Sequence, residues 1–90
     1  MNINDFCASC EWLTGEGADI AEATYNGQLF GTWFIEVHGK GTRRRAVWDG
    51  KDQWLIIQSG QSQGGWIDDW IGRKPDEQTV EQVVQRLLCD

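Results

Sequence analysis

No stretch of this 90-residue chain approaches the ~18 consecutive apolar residues that a membrane-spanning helix requires. The opening residues, "MNINDFCASC", lack the basic start and apolar core of a secretory signal, so export is not expected. There is one proline, and 40% of the residues are hydrophobic; that balance argues against disorder. The three cysteines cannot all pair within the chain, and a domain with a real core needs no disulfide framework. Reduced thiols in a cytoplasmic protein are the expectation. The single histidine, His38, has no serine or cysteine near it in sequence, so no nucleophile–base pair is legible and an enzyme is not expected. Basic charge is scarce: eight Lys and Arg face fourteen Asp and Glu, for a net charge of −6. That sign opposes nucleic acid and anionic membranes. Ninety residues make one small domain.

What the chain has in excess is tryptophan, six in all. Each can bury roughly 200 Å², so a few suffice to anchor a core, and a surplus is left for the surface.

The clearest element is C-terminal. Thr79 and Gln82 have the spacing of a capping box, and Val80, Val83, Val84, Leu87 and Leu88 form one apolar stripe of an amphipathic helix. Pro75 helps to set its entry. At the N-terminus, Ile3, Phe6, Cys7, Cys10 and Leu13 follow helical spacing from a cap at Asn2 or Asn4, and Gly15 and Gly17 end the helix. Between the helices the pattern predicts strands at Asp19–Tyr25, Leu29–His38, Thr42–Asp49 and Gln53–Gln58. Asn26-Gly27, Gly39-Lys40-Gly41 and Asp49-Gly50-Lys51-Asp52 are the turns. Short turns make the strands antiparallel neighbours. The segment "GGWIDDWIGR" is either a helical turn or a fifth strand. With Lys40-Gly41 and Gly50-Lys51 as turn centres, one sheet face collects Leu29, Trp33, Ile35, Ala46, Trp48, Leu55 and Ile57. The other collects Tyr25, Phe30, Phe34, Val47, Trp54 and Ile56, beside Glu36 and Arg45. Two helices can cover only one of these faces.

Four constellations bear on chemistry. Cys7-x-x-Cys10 has the spacing of a redox dithiol, but no strand leads into it and it lies on an apolar helical stripe, where cysteine behaves as a small hydrophobe. Adding His38 and Cys89 would give a Cys₃His zinc set, without the paired ligand clusters such sites normally show; no metal and no cofactor are expected. In "GKGTRRRAVWDGKDQW" the basic residues include Arg43, Arg44 and Arg45. Beside Phe34 and Trp54 they would suit a stacking platform for single-stranded nucleic acid, yet three successive arginines on a strand alternate in direction. In "GGWIDDWIGR", Trp66 and Trp70 flank Asp68 and Asp69. Their simplest role is to complete the core; their functional role would be an aromatic and acidic recognition surface.

The sequence therefore predicts an α+β domain, a four-stranded antiparallel meander with a possible fifth short strand and with N- and C-terminal helices packed on one face. The function expected first is a small non-enzymatic protein-interaction module, of inhibitor or immunity type by charge and size alone. It would use Trp66, Asp68, Asp69, Trp70, Trp54 and Phe34 against a partner with a basic patch, or would self-associate. The alternative is an aromatic sheet platform for single-stranded nucleic acid or carbohydrate, using Arg43, Arg44 and Arg45.

Overall fold

A computed structural model describes residues 1–88. Helix α1 (Ile3–Gly15) starts at Asn2, where a full capping box forms: Asn2 Oδ1 accepts from the Asp5 amide and Asp5 Oδ2 accepts from the Asn2 amide. Five strands follow, β1 (Asp19–Asn26), β2 (Thr32–His38), β3 (Arg43–Asp49), β4 (Trp54–Gly60) and β5 (Trp66–Gly72). A short 3₁₀ turn at Pro75–Glu77 then leads into helix α2 (Val80–Leu88). The Thr79 hydroxyl accepts from the Gln82 amide and so caps α2, while Gln82 Oε1 accepts from Arg86 one turn on.

The sheet is a simple meander in the order β1-β2-β3-β4-β5, with every neighbour antiparallel. The segment 66–72 is thus the fifth strand and not a helical turn. Both helices lie on one side, α1 against β1 and α2, α2 against β3 and β4. The core between the layers holds Leu13, Trp33, Ile35, Ala46, Trp48, Leu55, Ile57, Val83, Val84 and Leu87. Phe6 ties α1 to the sheet, its ring tilted against Trp33 at 5.5 Å and against Tyr25 at 6.0 Å.

Three sequence expectations shift. The β3–β4 turn is centred on Lys51-Asp52, because Asp49 pairs with Trp54. That displaces the pairing by two residues and keeps every side chain on its expected face. The β1–β2 connection is a five-residue loop, 27–31, closed by the pair Asn26 and Thr32, and not a two-residue Asn-Gly turn. Leu29 and Phe30 therefore leave the strand, and Tyr25 moves to the helix-covered face opposite Trp33. On α1 the inner stripe is Phe6, Ser9, Cys10 and Leu13. Ser9 is fully buried with its hydroxyl donating to the Asp5 carbonyl, while Cys7, about 100° around the helix from Phe6, is exposed, and Ile3 is largely so.

Both edges of the sheet are interrupted. The ladder slips around Ala21 on β1 and at Asp69 on β5, and both edge strands carry acids. Bulges and edge charges of this kind discourage edge-to-edge pairing.

Candidate functional site

Because strands alternate, the side of the sheet away from the helices is set by the register. Its central row runs Thr24, Phe34, Val47, Ile56, Ile71 across all five strands. Four of these five are apolar and half-buried by their neighbours alone. The next row runs Glu22, Glu36, Arg45, Gln58, Asp68. Among the described residues no helix lies over this face, since α1 and α2 both pack on the other.

Two tryptophans flank the apolar row, one toward each end of the strands, each with arginine on its ring. At one end Trp66 lies against Arg45, 4.1 Å from guanidinium carbon to ring centroid, and Arg43, at 5.0 Å. Arg45 also reaches the Phe34 ring at 5.9 Å and donates to Gln58 Oε1 at 2.6 Å. Burial pushes the Arg45 guanidinium below its ordinary value and Arg43 adds to that, while Glu36 and Asp68 oppose it. Gly60 makes room for this arrangement. A Cβ there would come within 2.9 Å of the Arg43 guanidinium, which crosses β4 at that point and donates to the Gln61 carbonyl. At the other end Arg73 lies 4.7 Å from the Trp54 ring.

The arginines of this face are thus engaged by the protein's own rings and amides, whereas its carboxylates lie to the sides. Glu22 is exposed on edge strand β1, and Asp68, accepting from Gln58 Nε2 at 2.6 Å, is exposed on edge strand β5. Glu36 is bonded to His38 at 2.6 Å. Charge is unevenly placed along the chain as well: the six acids before Lys40 are accompanied by no Lys or Arg.

Of the residues singled out in the sequence, Phe34, Trp54, Trp66, Asp68, Arg43 and Arg45 come together on the open face. Trp70 and Asp69 do not. The slip at Asp69 inserts one residue, so Trp66 and Trp70 fall on opposite faces despite their even spacing. Trp70 packs against the core under Arg86, 4.0 Å away, and Asp69 accepts from the Ser59 hydroxyl. Asp69 and Trp70 line a cleft of about 400 Å³ together with Arg44, Ile57, Gln82 and Arg86. Arg44 points to the helix side, as alternation demands.

The Cys-x-x-Cys pair separates into an exposed Cys7 and a Cys10 packed on the core. Burial pushes the Cys10 thiol up, and Cys7 and Glu11 add to the rise. A redox dithiol needs the opposite shift. Cys89 of the suggested zinc set lies outside the described residues, among which no cluster of three metal-ligating side chains occurs. Also among the described residues, no helix is long and apolar enough to cross a membrane.

No protein-family model, curated protein or solved structure matches the chain.

The Arg45 stack gives a direct test of this geometry. Arg45→Lys keeps the charge and loses the planar guanidinium that lies on Trp66 and bonds Gln58. It is expected to cost about 1 kcal/mol of stability, read as a lowered urea midpoint at unchanged slope. An unchanged midpoint would show that the stack contributes nothing.

Proposed function

We propose that this chain is a binding protein that docks a partner protein on the open face of its sheet, and that the partner's surface is apolar at its centre and basic at its rim. The observation that carries this is the apolar row Phe34, Val47, Ile56, Ile71, which no layer among the described residues covers. A sheet normally buries one face on its own helices and leaves the other polar. Here the second face is apolar in its middle and framed by half-buried tryptophans, the residue type most enriched at interface hot spots.

The charges indicate the kind of partner. Arg43, Arg45 and Arg73 are spent on aromatic rings, so the carboxylates Glu22 and Asp68 are the charges offered at the sides. A net charge of −6 steers a basic protein toward the chain and opposes single-stranded nucleic acid. The sheet spans on the order of 20 Å in each direction, from strand spacing and rise. That footprint of roughly 400 Å² per partner, about 800 Å² in total, lies below the standard specific interface and in the range of weak, transient complexes, where a few aromatic anchors dominate affinity.

A photoreactive phenylalanine analogue in place of Val47, in cells that make the chain, tests the proposal. The expected adduct is one basic protein, whose purified form binds the chain and loses about 30-fold or more in affinity with Ile56→Lys, with little change in thermal midpoint. Three outcomes would overturn it: an adduct only with a second copy, tight binding to a single-stranded oligonucleotide with a steep salt dependence, or no adduct at all.

A further inference from the structure

On the side of the sheet that carries the helices, α2 packs on β3 and β4, and β5 runs along the sheet edge beyond it. The gap between α2 and β5 is the cleft of about 400 Å³, lined by Ile57, Trp70, Asp69 and Arg44 from the sheet and by Gln82 and Arg86 from α2. Gln82 and Arg86 are four residues apart and so share a face of the helix. The sheet wall depends on the slip in β5. Trp70 pairs with Ile57 and Asp68 with Gln58, so Asp69 is the inserted residue. Adjacent residues of a regular strand point to opposite faces, yet Asp69 and Trp70 both line the cleft. Bulges recur beside functional sites because they re-aim a side chain in this way.

Arg86 is fixed in the cleft before any ligand arrives. Its guanidinium carbon lies 4.0 Å from the centroid of the Trp70 ring, and its Nε donates to Gln82 Oε1 at 3.2 Å. That is its one hydrogen bond among the described residues, so both terminal Nη groups keep their N–H donors. They form the planar fork that a carboxylate meets with two parallel hydrogen bonds, and the ordering cost of the side chain falls on folding and not on binding. Arg44 brings a second guanidinium to the cleft, and Lys40 lines the adjoining depression with it. The opposing charges are two carboxylates. Asp69 Oδ2 accepts from the Ser59 hydroxyl, and Oδ1 has no partner among the described residues. Glu81 stands at the rim, accepting from Gln85 Nε2 at 3.0 Å.

We infer that this cleft binds a small zwitterionic amino-carboxylate, the class that includes the free amino acids, with its carboxylate on Arg86 and its ammonium group on Asp69. Trp70 and Ile57 supply an apolar wall for the rest of the molecule. The volume falls within the range of about 300–1,000 Å³ usual for small-molecule sites. Charge selects the class. A phosphate dianion placed on Arg86 would be repelled by Asp69, and a simple cation placed on Asp69 would be repelled by two guanidinium groups. A molecule that carries both charges satisfies both walls. The cleft lies on the opposite side of the sheet from the open face, so this inference is independent of the docking proposal.

The test is a titration of the isotope-labelled full-length chain, followed by NMR, with L-leucine, L-phenylalanine, 5-aminopentanoate and inorganic phosphate. At least one of the three amino-carboxylates is expected to shift the Trp70 indole N–H and the amides of Asp69 and Arg86, with a Kd of about 1 mM or tighter. Its N-acetyl and amide derivatives, each lacking one of the two charges, are expected to bind about 10-fold more weakly. Asp69→Asn keeps an acceptor for Ser59 and so should hold the thermal midpoint. It is expected to weaken the zwitterion about 10-fold while leaving the N-acetyl derivative unaffected, a difference that a loss of folding would not produce. Arg86→Gln is expected to weaken both, and Arg86→Lys to restore part of the loss. The inference is overturned if no amino-carboxylate binds at that level, if phosphate binds more tightly than all three, or if the shifted signals lie on the open face. It is equally overturned if Asp69→Asn or Arg86→Gln leaves the affinity unchanged.

Discussion

Trp33→Ala is expected to destabilise the domain by about 4 kcal/mol, whereas Trp33→Phe is expected to change stability by less than about 1 kcal/mol. Trp33 is the largest fully buried side chain, 1% exposed. It sits on β2 between Tyr25 on β1 and Trp48 on β3, with Phe6 from α1 tilted against it. Removing it opens a cavity where α1, β1 and β2 meet, and the surrounding sheet cannot collapse to fill it. For 90 residues a total stability of roughly 5–13 kcal/mol is usual, so the alanine variant loses much of what holds the fold. The thermal midpoint should fall by about 15–30 °C.

The phenylalanine variant separates packing from polarity. The Trp33 indole N–H is buried and meets no acceptor among the described residues. An unpaired buried donor costs about 1–3 kcal/mol, which phenylalanine would recover. The same substitution gives up the apolar contacts of the larger ring, about 1–2 kcal/mol at ordinary burial values, so the two effects offset. Urea titrations of both variants at matched slope check this. Equal losses in the two would mean that the indole nitrogen contributes to stability and does not detract from it.

The parts of this fold that rest on periodicity and turn chemistry could be read directly from the residues. Val83, Val84 and Leu87 recur at helical spacing and are the buried residues of α2. The alternation in β2, β3 and β4 put Phe34, Val47, Trp54 and Ile56 on one face, and the misplaced β3–β4 turn did no harm because the error was an even number of residues. Features that depend on one inserted residue could not be read this way. The slip at Asp69 separates Trp66 from Trp70, and no local signal in "WIDDW" marks it, since two aspartates suit a turn and a strand edge equally well. The β1–β2 loop was hidden for a related reason. Leu29 and Phe30 have strong strand propensity, and "NG" is the usual two-residue hairpin signal. Tertiary packing decided the matter. Placing Tyr25 opposite Trp33 under Phe6 buries three aromatics together, and the five-residue loop follows from that pairing. The candidate site divides along the same line. Phe34, Val47 and Ile56 of its central row and Trp54 beside it were legible, but Thr24, Ile71 and Trp66 required the registers of β1 and β5.

The loop also sets the second large effect. Gly50→Ala is expected to cost about 2–3 kcal/mol, at the upper end for overpacking, although Gly50 is a turn residue and has no positive φ among the glycines that do. Its requirement is steric, because the atom met by a new Cβ is the Phe30 carbonyl, part of the main chain, which a rotamer change cannot move aside. Gly15 provides the control: a Cβ there meets nothing within 4 Å, and Gly15→Ala at the end of α1 is expected to be neutral or slightly stabilising. The cause of the Gly50 effect can be isolated by pairing it with Phe30→Gly. Glycine at position 30 frees the loop backbone to swing its carbonyl away from the new methyl group, so the double variant is expected to be more stable than the sum of the singles by about 1 kcal/mol. Additive losses, within about 0.5 kcal/mol, would show that Gly50→Ala acts through the β3–β4 turn alone. Coupling would establish that the two turns form one mechanical unit, and that the turn after β3 is what holds Phe30 in its exposed, left-handed conformation.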